Sequence, residues 1–297
     1  MPASTTLVTS RANARVKQLR AAFAGNARLS GGLVAIEGET LLQEALRSGL
    51  PLKAIFLSER AVQPAWLPRG VELLPLAEEV FLSAVDTQHP QGIAALLVPP
   101  IWDLESIFSS ACSPATRAAP LVLIAAGLQD PGNLGTLIRS AEAFGATAVL
   151  TTPGTVSQWN QKALRASAGS VFRVPVVQIA VSDVAALKSR GLRLFAAVAS
   201  TTESNPESNA ESNSIPAALP VSSVNFTQSC ALIVGNEGSG LTPELLQISD
   251  ACVTIPMPGR VESLNAAVAG SLLLYEASRQ REASRQRNAS QLTTDNS

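Results

Sequence analysis

The side chains best placed to do chemistry in this chain are Asn133 and Arg139, Asn236 and Glu237, and Ser263 and Asn265, each pair following an apolar run. They lie in DPGNLGTLIRSAEAFG (Asp130 to Gly145), IVGNEGSGL (Ile233 to Leu241) and IPMPGRVESLNAAVAG (Ile255 to Gly270). In each segment a strand pattern runs into a glycine-bearing turn and then a helix start. Such turns leave bare backbone N–H and C=O groups at the carboxyl edge of a sheet, where α/β proteins bind ligands. Three of them in one domain predict one composite site. The single histidine, His89, stands in the turn-like string TQHPQG. Without imidazole beside other ligands or a nucleophile, most metal hydrolases, Ser–His–Asp hydrolases and His-based phosphotransfer are excluded. The chemistry must come from Arg, Asn, Glu, Ser or backbone.

Taken alone, each motif admits a plainer reading. Asp130-Pro131-Gly132 is a turn and Asn133 can cap the next helix, whose Leu137, Ala141 and Phe144 would face a core. Arg139 is not explained that way, and it can meet a phosphate or polarise a hydroxyl only if neighbouring turns fold over it. The second motif has neither the Lys-Ser/Thr of a P-loop nor the G-x-G-x-x-G spacing of a dinucleotide site. Its carboxylate, Glu237, would repel phosphate, so a neutral or zwitterionic ligand carrying adenine or ribose hydroxyls fits better. In the third, prolines 256 and 258 restrain an extended segment, Ser263 is the expected N-cap and Asn265 falls in the first helical turn.

The elements that must position these residues form two α/β modules. From Thr9 to Phe23 one helical stripe carries Val16, Leu19 and Phe23, with Ser10 as expected cap. Strands at 33–36, 52–57, 71–75 and 93–98 and helices at 41–47 and 76–82 complete an N-terminal domain over 1–100. Residues 101–120, rich in Pro, Ser and Ala, read as a linker with one helical turn at Asp103 to Phe108. The main domain, 121–282, alternates uniformly apolar strands with helices, as a parallel sheet covered on both faces requires. Its last helix is expected over Ser263 to Arg279. Within it, 200–227 repeats Glu-Ser-Asn three times without periodicity and reads as a disordered insertion, and 283–297 as a mobile tail.

The chain has 297 residues, 46% of them hydrophobic, and a formal net charge of −1, so any basic surface must be local. One candidate surface is near the start: Arg11, Arg15, Lys17, Arg20 and Arg28 precede the first acidic residue. Cys112, Cys230 and Cys252 are odd in number and widely spaced, which suits reduced structural thiols and a cytosolic compartment. No secretory leader pattern or membrane-length apolar run is visible, so a soluble, unprocessed protein is expected.

The ordered set of three motifs resembles the SpoU (TrmH-like) family of S-adenosyl-L-methionine-dependent RNA ribose 2′-O-methyltransferases of the SPOUT superfamily. The strings TSRANARVKQLR, IEGETLLQEAL (36–46) and HPQGIAALL (89–97) resemble the L30e-like substrate-binding domain that many of these enzymes carry. The resemblance implies a C-terminal domain whose parallel sheet is threaded into a deep trefoil knot, a rare exception to unknotted chains. It implies a homodimer with its catalytic centre at the subunit interface. Gly235, Ile255 and Leu264 would be the principal cofactor contacts, with Asn236 and Met257 nearby. Arg139 would help activate the ribose hydroxyl, Asn133 and Glu237 would shape the site, and Ser263 and Asn265 would be the third motif's Ser/Asn pair. No metal is implied, because a sulfonium carries its own leaving group.

The expected partner is structured RNA, ribosomal before transfer RNA, gripped by Arg11, Arg15, Lys17 and Arg20 unless these charges are only solvated. A non-catalytic RNA-binding protein on the same fold, or an α/β enzyme using another nucleotide, are the rival classes. The family also has a string like Arg165-Ala166-Ser167-Ala168-Gly169, which reads equally well as a helix end. Trp159, just before it, either stacks on a base or packs in a core.

Overall fold

The computed structural model describes residues 6–87, 89–111, 119–199 and 218–294. The Glu-Ser-Asn repeats and Cys112 lie outside the described residues. The chain divides into two compact units, Met1–Ile101 with Gln158–Arg173, and Trp102–Ser157 with Val174–Ser297.

In the first unit, α1 (Ala14–Phe23) and α2 (Ala27–Ser30) precede β1 (Val34–Glu37), α3 (Glu39–Arg47), β2 (Leu52–Ser58), β3 (Glu72–Leu76), α4 (Glu78–Leu82) and β4 (Ile93–Leu97). The strands form a mixed sheet of order β1-β4-β2-β3. Val16, Leu19 and Phe23 of α1 are buried with Phe56, Phe81 and Leu96, as the helical stripe requires. The cap of α1 is Asn13 rather than Ser10. The Asn13 side chain accepts from Arg15 N at 2.8 Å, whereas Ser10 Oγ accepts from Ala12 N one turn earlier. His89 is an exposed loop residue.

The second unit begins with α5 (Leu104–Ala111), which is longer than the single turn expected in a linker. It forms because Ile107 and Phe108 are buried, Phe108 in a cluster with Val122, Leu150 and Leu194. Then come β5 (Leu121–Ala125), α6 (Pro131–Ala143) and β6 (Ala148–Thr151). The chain leaves for the first unit through α7 (Gln161–Ser167) and returns at β7 (Val176–Gln178). There follow α8 (Val181–Ala186), β8 (Arg193–Ala197), β9 (Ala218–Pro220), β10 (Cys230–Val234), α9 (Pro243–Ile248), β11 (Ala251–Thr254) and α10 (Ala266–Thr294). All seven strands are parallel, in the order β7-β6-β5-β10-β8-β11-β9. Every residue of β5 and β10 is buried, so the sheet is covered on both faces at its centre.

Two expectations of disorder are corrected. Residues 218–227, inside the expected insertion, form β9 on the sheet edge and seat Phe226 fully buried, edge-on to Phe195 at 5.2 Å. Burying such a ring contributes roughly 2 kcal/mol towards ordering the segment around it, beside the strand pairing of β9. The final helix neither starts at Ser263 nor ends near Arg279, but runs from Ala266 to Thr294. Its inner stripe, Ala267, Gly270, Leu274 and Ala277, is buried. A Cβ on Gly270 would come within 2.5 Å of Leu137 Cδ2, so glycine sets the close approach of α10 to α6. Farther along, Arg281 donates to the carbonyls of Ala119, Pro120 (3.1 Å), Gln228 (2.7 Å) and Phe226 (2.8 Å). Gln280 clasps Phe226 N and Val224 O, each at 2.9 Å. These bonds tie the helix down where local sequence suggests fraying.

Candidate active site

The three motifs reach the same sheet edge because β5, β10 and β11 are parallel and end together. After β5, Asp130 caps α6 by accepting from Asn133 N at 2.9 Å, with Pro131 preset in the first turn. After β10 the loop closes on itself: Asn236 and Gly240 exchange backbone bonds of 3.2 and 2.9 Å. A Cβ on Gly235 would lie 2.4 Å from Gly240 O, so this strand exit admits only glycine. Asn236 holds the loop's shape, accepting from Gly238 N at 2.8 Å and donating to Gly127 O at 3.0 Å. That last bond joins the second motif to the turn that leads from β5 into the first.

After β11 the proline-restrained segment leads to Asn265, which caps α10. Its Oδ1 accepts from Ala267 N at 2.9 Å and Val268 N at 3.2 Å. The cap is therefore Asn265 and not Ser263, because Asn265 is the residue whose side chain meets the first free N–H groups. The other end of the Asn265 amide donates to Asn133 Oδ1 at 3.1 Å. Asn133 in turn donates to a Glu237 carboxylate oxygen. One polar chain thus links all three motifs.

Beside it lies a cavity of about 150 Å³. Gly235, Asn236, Ile255, Met257 and Leu264 all line it, as do Glu237 and Ser263. Asn133 and Asn265 do not line it, and reach it through Glu237. Arg139 does not line it either. It is exposed on α6, six residues beyond Asn133. The sequence reading missed Ala197, Val198 and Ala199 at the end of β8, and Leu273 of α10, which complete the wall. The signal for the first three was small residues closing an apolar strand just before the polar insertion.

The walls are apolar, the edge offers backbone groups, and among the described residues the only charged side chain in the lining is the Glu237 carboxylate. An anion such as a pyrophosphate would meet no cation among the described lining residues. A ligand with an apolar body, hydroxyls and a positive centre suits the donor set. Among the described residues no cluster of His, Cys, Asp and Glu could hold a metal ion.

The SpoU rRNA Methylase family matches residues 120–275, more than half of the chain. The chain belongs to that family. Residues 13–95 match the MRM3-like substrate binding domain, so the SpoU domain is preceded by a separate substrate-binding module. Among SpoU relatives, the 23S rRNA (guanosine(2553)-2′-O)-methyltransferase RlmP of Bacillus subtilis is 34% identical, covering 90% of this chain and 97% of its own. The 23S rRNA (uridine(2479)-2′-O)-methyltransferase of Streptomyces viridochromogenes is 29% identical, with 92% of each covered. Among solved structures, the SpoU methyltransferase AviRb from that organism, in complex with AdoMet, superposes with a TM-score of 0.73 at 27% identity. The match covers 91% of this chain and 98% of AviRb. All three matches span both modules of this SpoU protein.

In the N-terminal module, three of the four expected RNA-binding cations are engaged within the chain. Arg15 pairs with Glu72 at 2.8 Å, Arg11 approaches Glu79 at 3.8 Å, and Arg20 donates to Ser83 O at 3.1 Å. Lys17 is exposed.

Proposed function

We propose that the protein transfers a methyl group from S-adenosylmethionine to a ribose 2′-hydroxyl of 23S ribosomal RNA. The observation that carries this reading is the meeting of three distant loops at one cavity, beside the polar chain Glu237–Asn133–Asn265. Gly235, Ile255, Met257 and Leu264 would hold the cofactor's apolar parts, and the Glu237 carboxylate favours its positive charge. When bound, the cofactor supplies an electrophilic methyl on a neutral leaving group, so no metal is required.

The chain's own residues must bring a poor nucleophile into line and offset the charge that grows on its oxygen. Asn133, fixed between Glu237 and Asn265, keeps the carboxylate from swinging, and Ser263 presents a hydroxyl at the cavity rim. Arg139 is assigned orientation and electrostatic help, because a guanidinium does not give up its proton near neutrality.

Its place on α6 outside the cavity fits a centre completed by a second subunit. Exposed Val268, Leu272 and Tyr275 on one face of α10 supply an apolar stripe suited to that homodimer. The return of the chain from β8 at one side of β10 to β10 itself, between β5 and β8, suits the threading of a trefoil knot. Free, buried Cys230 and Cys252 suit a reducing cytosol.

The names of the relatives favour ribosomal over transfer RNA. Incubation with labelled S-adenosylmethionine and either an unmodified 23S transcript or bulk transfer RNA tests the reading. Label in the 23S transcript is expected. Label in transfer RNA alone moves the substrate, and no transfer to any RNA favours a binding protein on this fold.

A further inference from the structure

A tight turn through Gly25 (φ +69°) brings α2 alongside α1, and Gln18 locks the pair by donating to Ser30 O at 2.9 Å. The other end of the Gln18 amide accepts from Arg15 Nη1, also at 2.9 Å. Between the two helices lies an open groove of about 770 Å³. That size falls within the range of small-ligand sites, roughly 300–1,000 Å³. It belongs wholly to the first unit, so the cavity at the three motifs makes no use of it.

Arg15, Lys17 and Arg20 line the groove, and among the described lining residues there is no Asp or Glu. Their charges are not equally available. Glu72 offsets Arg15 at 2.8 Å. Arg20 is held as well, but by neutral oxygens: Ser83 O at 3.1 Å and Ser83 Oγ at 3.2 Å. Those bonds fix the guanidinium in place without cancelling its charge. Lys17 is exposed, and among the described residues no carboxylate pairs with it.

The rest of the lining is apolar or amide. Ala21 and Ala24, at the end of α1, are joined by Leu29 of α2, whose side chain is 68% exposed. Asn26 uses its side-chain oxygen to accept from Leu29 N at 3.1 Å, and its NH2 remains a donor at the groove. Positive charge beside an apolar wall and an amide donor suits an unstacked nucleotide. Its phosphate would meet the cations, its base face Leu29 or the Arg20 plane, and its base edge the amide. A duplex presents phosphate and ribose to such a groove and would leave Leu29 without a base to cover it. The groove also falls inside residues 13–95, the part matched to a substrate-binding domain, which favours RNA over an acidic peptide.

We propose that the groove between α1 and α2 grips an unpaired stretch of the RNA substrate, with Lys17 and Arg20 on its phosphates and Leu29 under a base. It rests on the reading of the protein as an RNA methyltransferase.

The test is binding of the full-length protein to an unmodified 23S rRNA transcript over a salt series, with S-adenosylhomocysteine binding and thermal melting as controls for folding. Lys17 and Leu29 are both exposed, so neither substitution disturbs a core. Lys17→Ala should weaken binding about fivefold at roughly physiological salt and flatten the log–log salt slope by about 0.7, the value for one phosphate contact on a single strand. Leu29→Ala should weaken binding about threefold at every salt concentration with the slope unchanged, because it removes apolar contact and no charge. Arg11→Ala, which removes a cation paired with Glu79 and outside the groove, should stay within about twofold of wild type. Poly(U) should displace the transcript better, phosphate for phosphate, than annealed poly(A)·poly(U), and Leu29→Ala should narrow that difference. Wild-type affinity in both Lys17→Ala and Leu29→Ala, or equal displacement by the duplex, would overturn the proposal and leave the methyltransferase reading standing if the transcript is still methylated. Displacement by polyglutamate as effective as by poly(U) would overturn it in favour of an acidic protein partner. Wild-type protein that binds S-adenosylhomocysteine but no RNA at any salt would overturn it together with the RNA reading.

Discussion

Asn265 donates its side-chain amide to the side-chain oxygen of Asn133 at 3.1 Å across 132 residues of sequence. The same Asn265 caps α10, and the same Asn133 holds Glu237. A single residue therefore ties the start of the last helix to the carboxylate at the cavity. Asn133→Ala or Asn265→Ala should each cost roughly 1–2 kcal/mol in the barrier, about five- to thirtyfold in methyl transfer. Because the residues act as one chain, the double variant should lose less than the sum. Single-turnover kinetics with saturating cofactor measure this, and full additivity would contradict the linkage.

Gly235→Ala should abolish cofactor binding and lower the melting temperature. The added carbon would meet Gly240 O at 2.4 Å and Gly240 C at 2.5 Å, and backbone has no rotamer with which to yield. A cost of at least about 2 kcal/mol is expected for such a clash. Calorimetric titration with S-adenosylhomocysteine and a thermal melt read both, and wild-type values would show that the loop rearranges freely.

The strand–turn–helix runs of all three motifs were legible because apolar blocks end abruptly at glycine or proline. Other features depend on partners far away in sequence. Nothing local distinguishes Ser263 from Asn265 as a cap until Asn133 fixes one end of the Asn265 amide. The pattern of α7 gives a helix but not whose core Ala163 and Leu164 fill, which Gln161 decides by reaching Ala35. Phe226 was hidden by polar neighbours, and the extension of α10 by the remoteness of the carbonyls that hold Arg281.

Arg281→Ala should destabilise the second unit by about 2–4 kcal/mol, since it leaves several partly buried carbonyls without a charged donor. Arg281→Lys should recover only part, because an ammonium cannot span carbonyls placed for a planar fork. Urea unfolding measures both. Equal stability of all three proteins would mean that water replaces the guanidinium.

Burial pushes the Cys230 thiol up despite the nearby Arg281 charge, and burial alone raises Cys252. A raised thiol holds its proton at neutral pH, and the thiolate is the reactive form. Both residues should therefore resist maleimide in the native protein at pH 7.5 and react once urea unfolds it. Peptide mapping by mass spectrometry reads the sites, and rapid native labelling of either would contradict the burial.

Arg139→Ala should leave S-adenosylhomocysteine affinity within a few-fold, as expected for a side chain outside the cavity, while removing most methyl transfer. Equal loss of both would make the arginine structural.

The most direct measurement is to incubate the purified protein with labelled S-adenosylmethionine and an unmodified 23S transcript, then hydrolyse the RNA in alkali. A methylated 2′-oxygen cannot attack its own phosphate, so the label should emerge in an alkali-resistant dinucleotide. Label released in mononucleotides, or no label in the RNA at all, would show that the cavity does not serve a ribose hydroxyl.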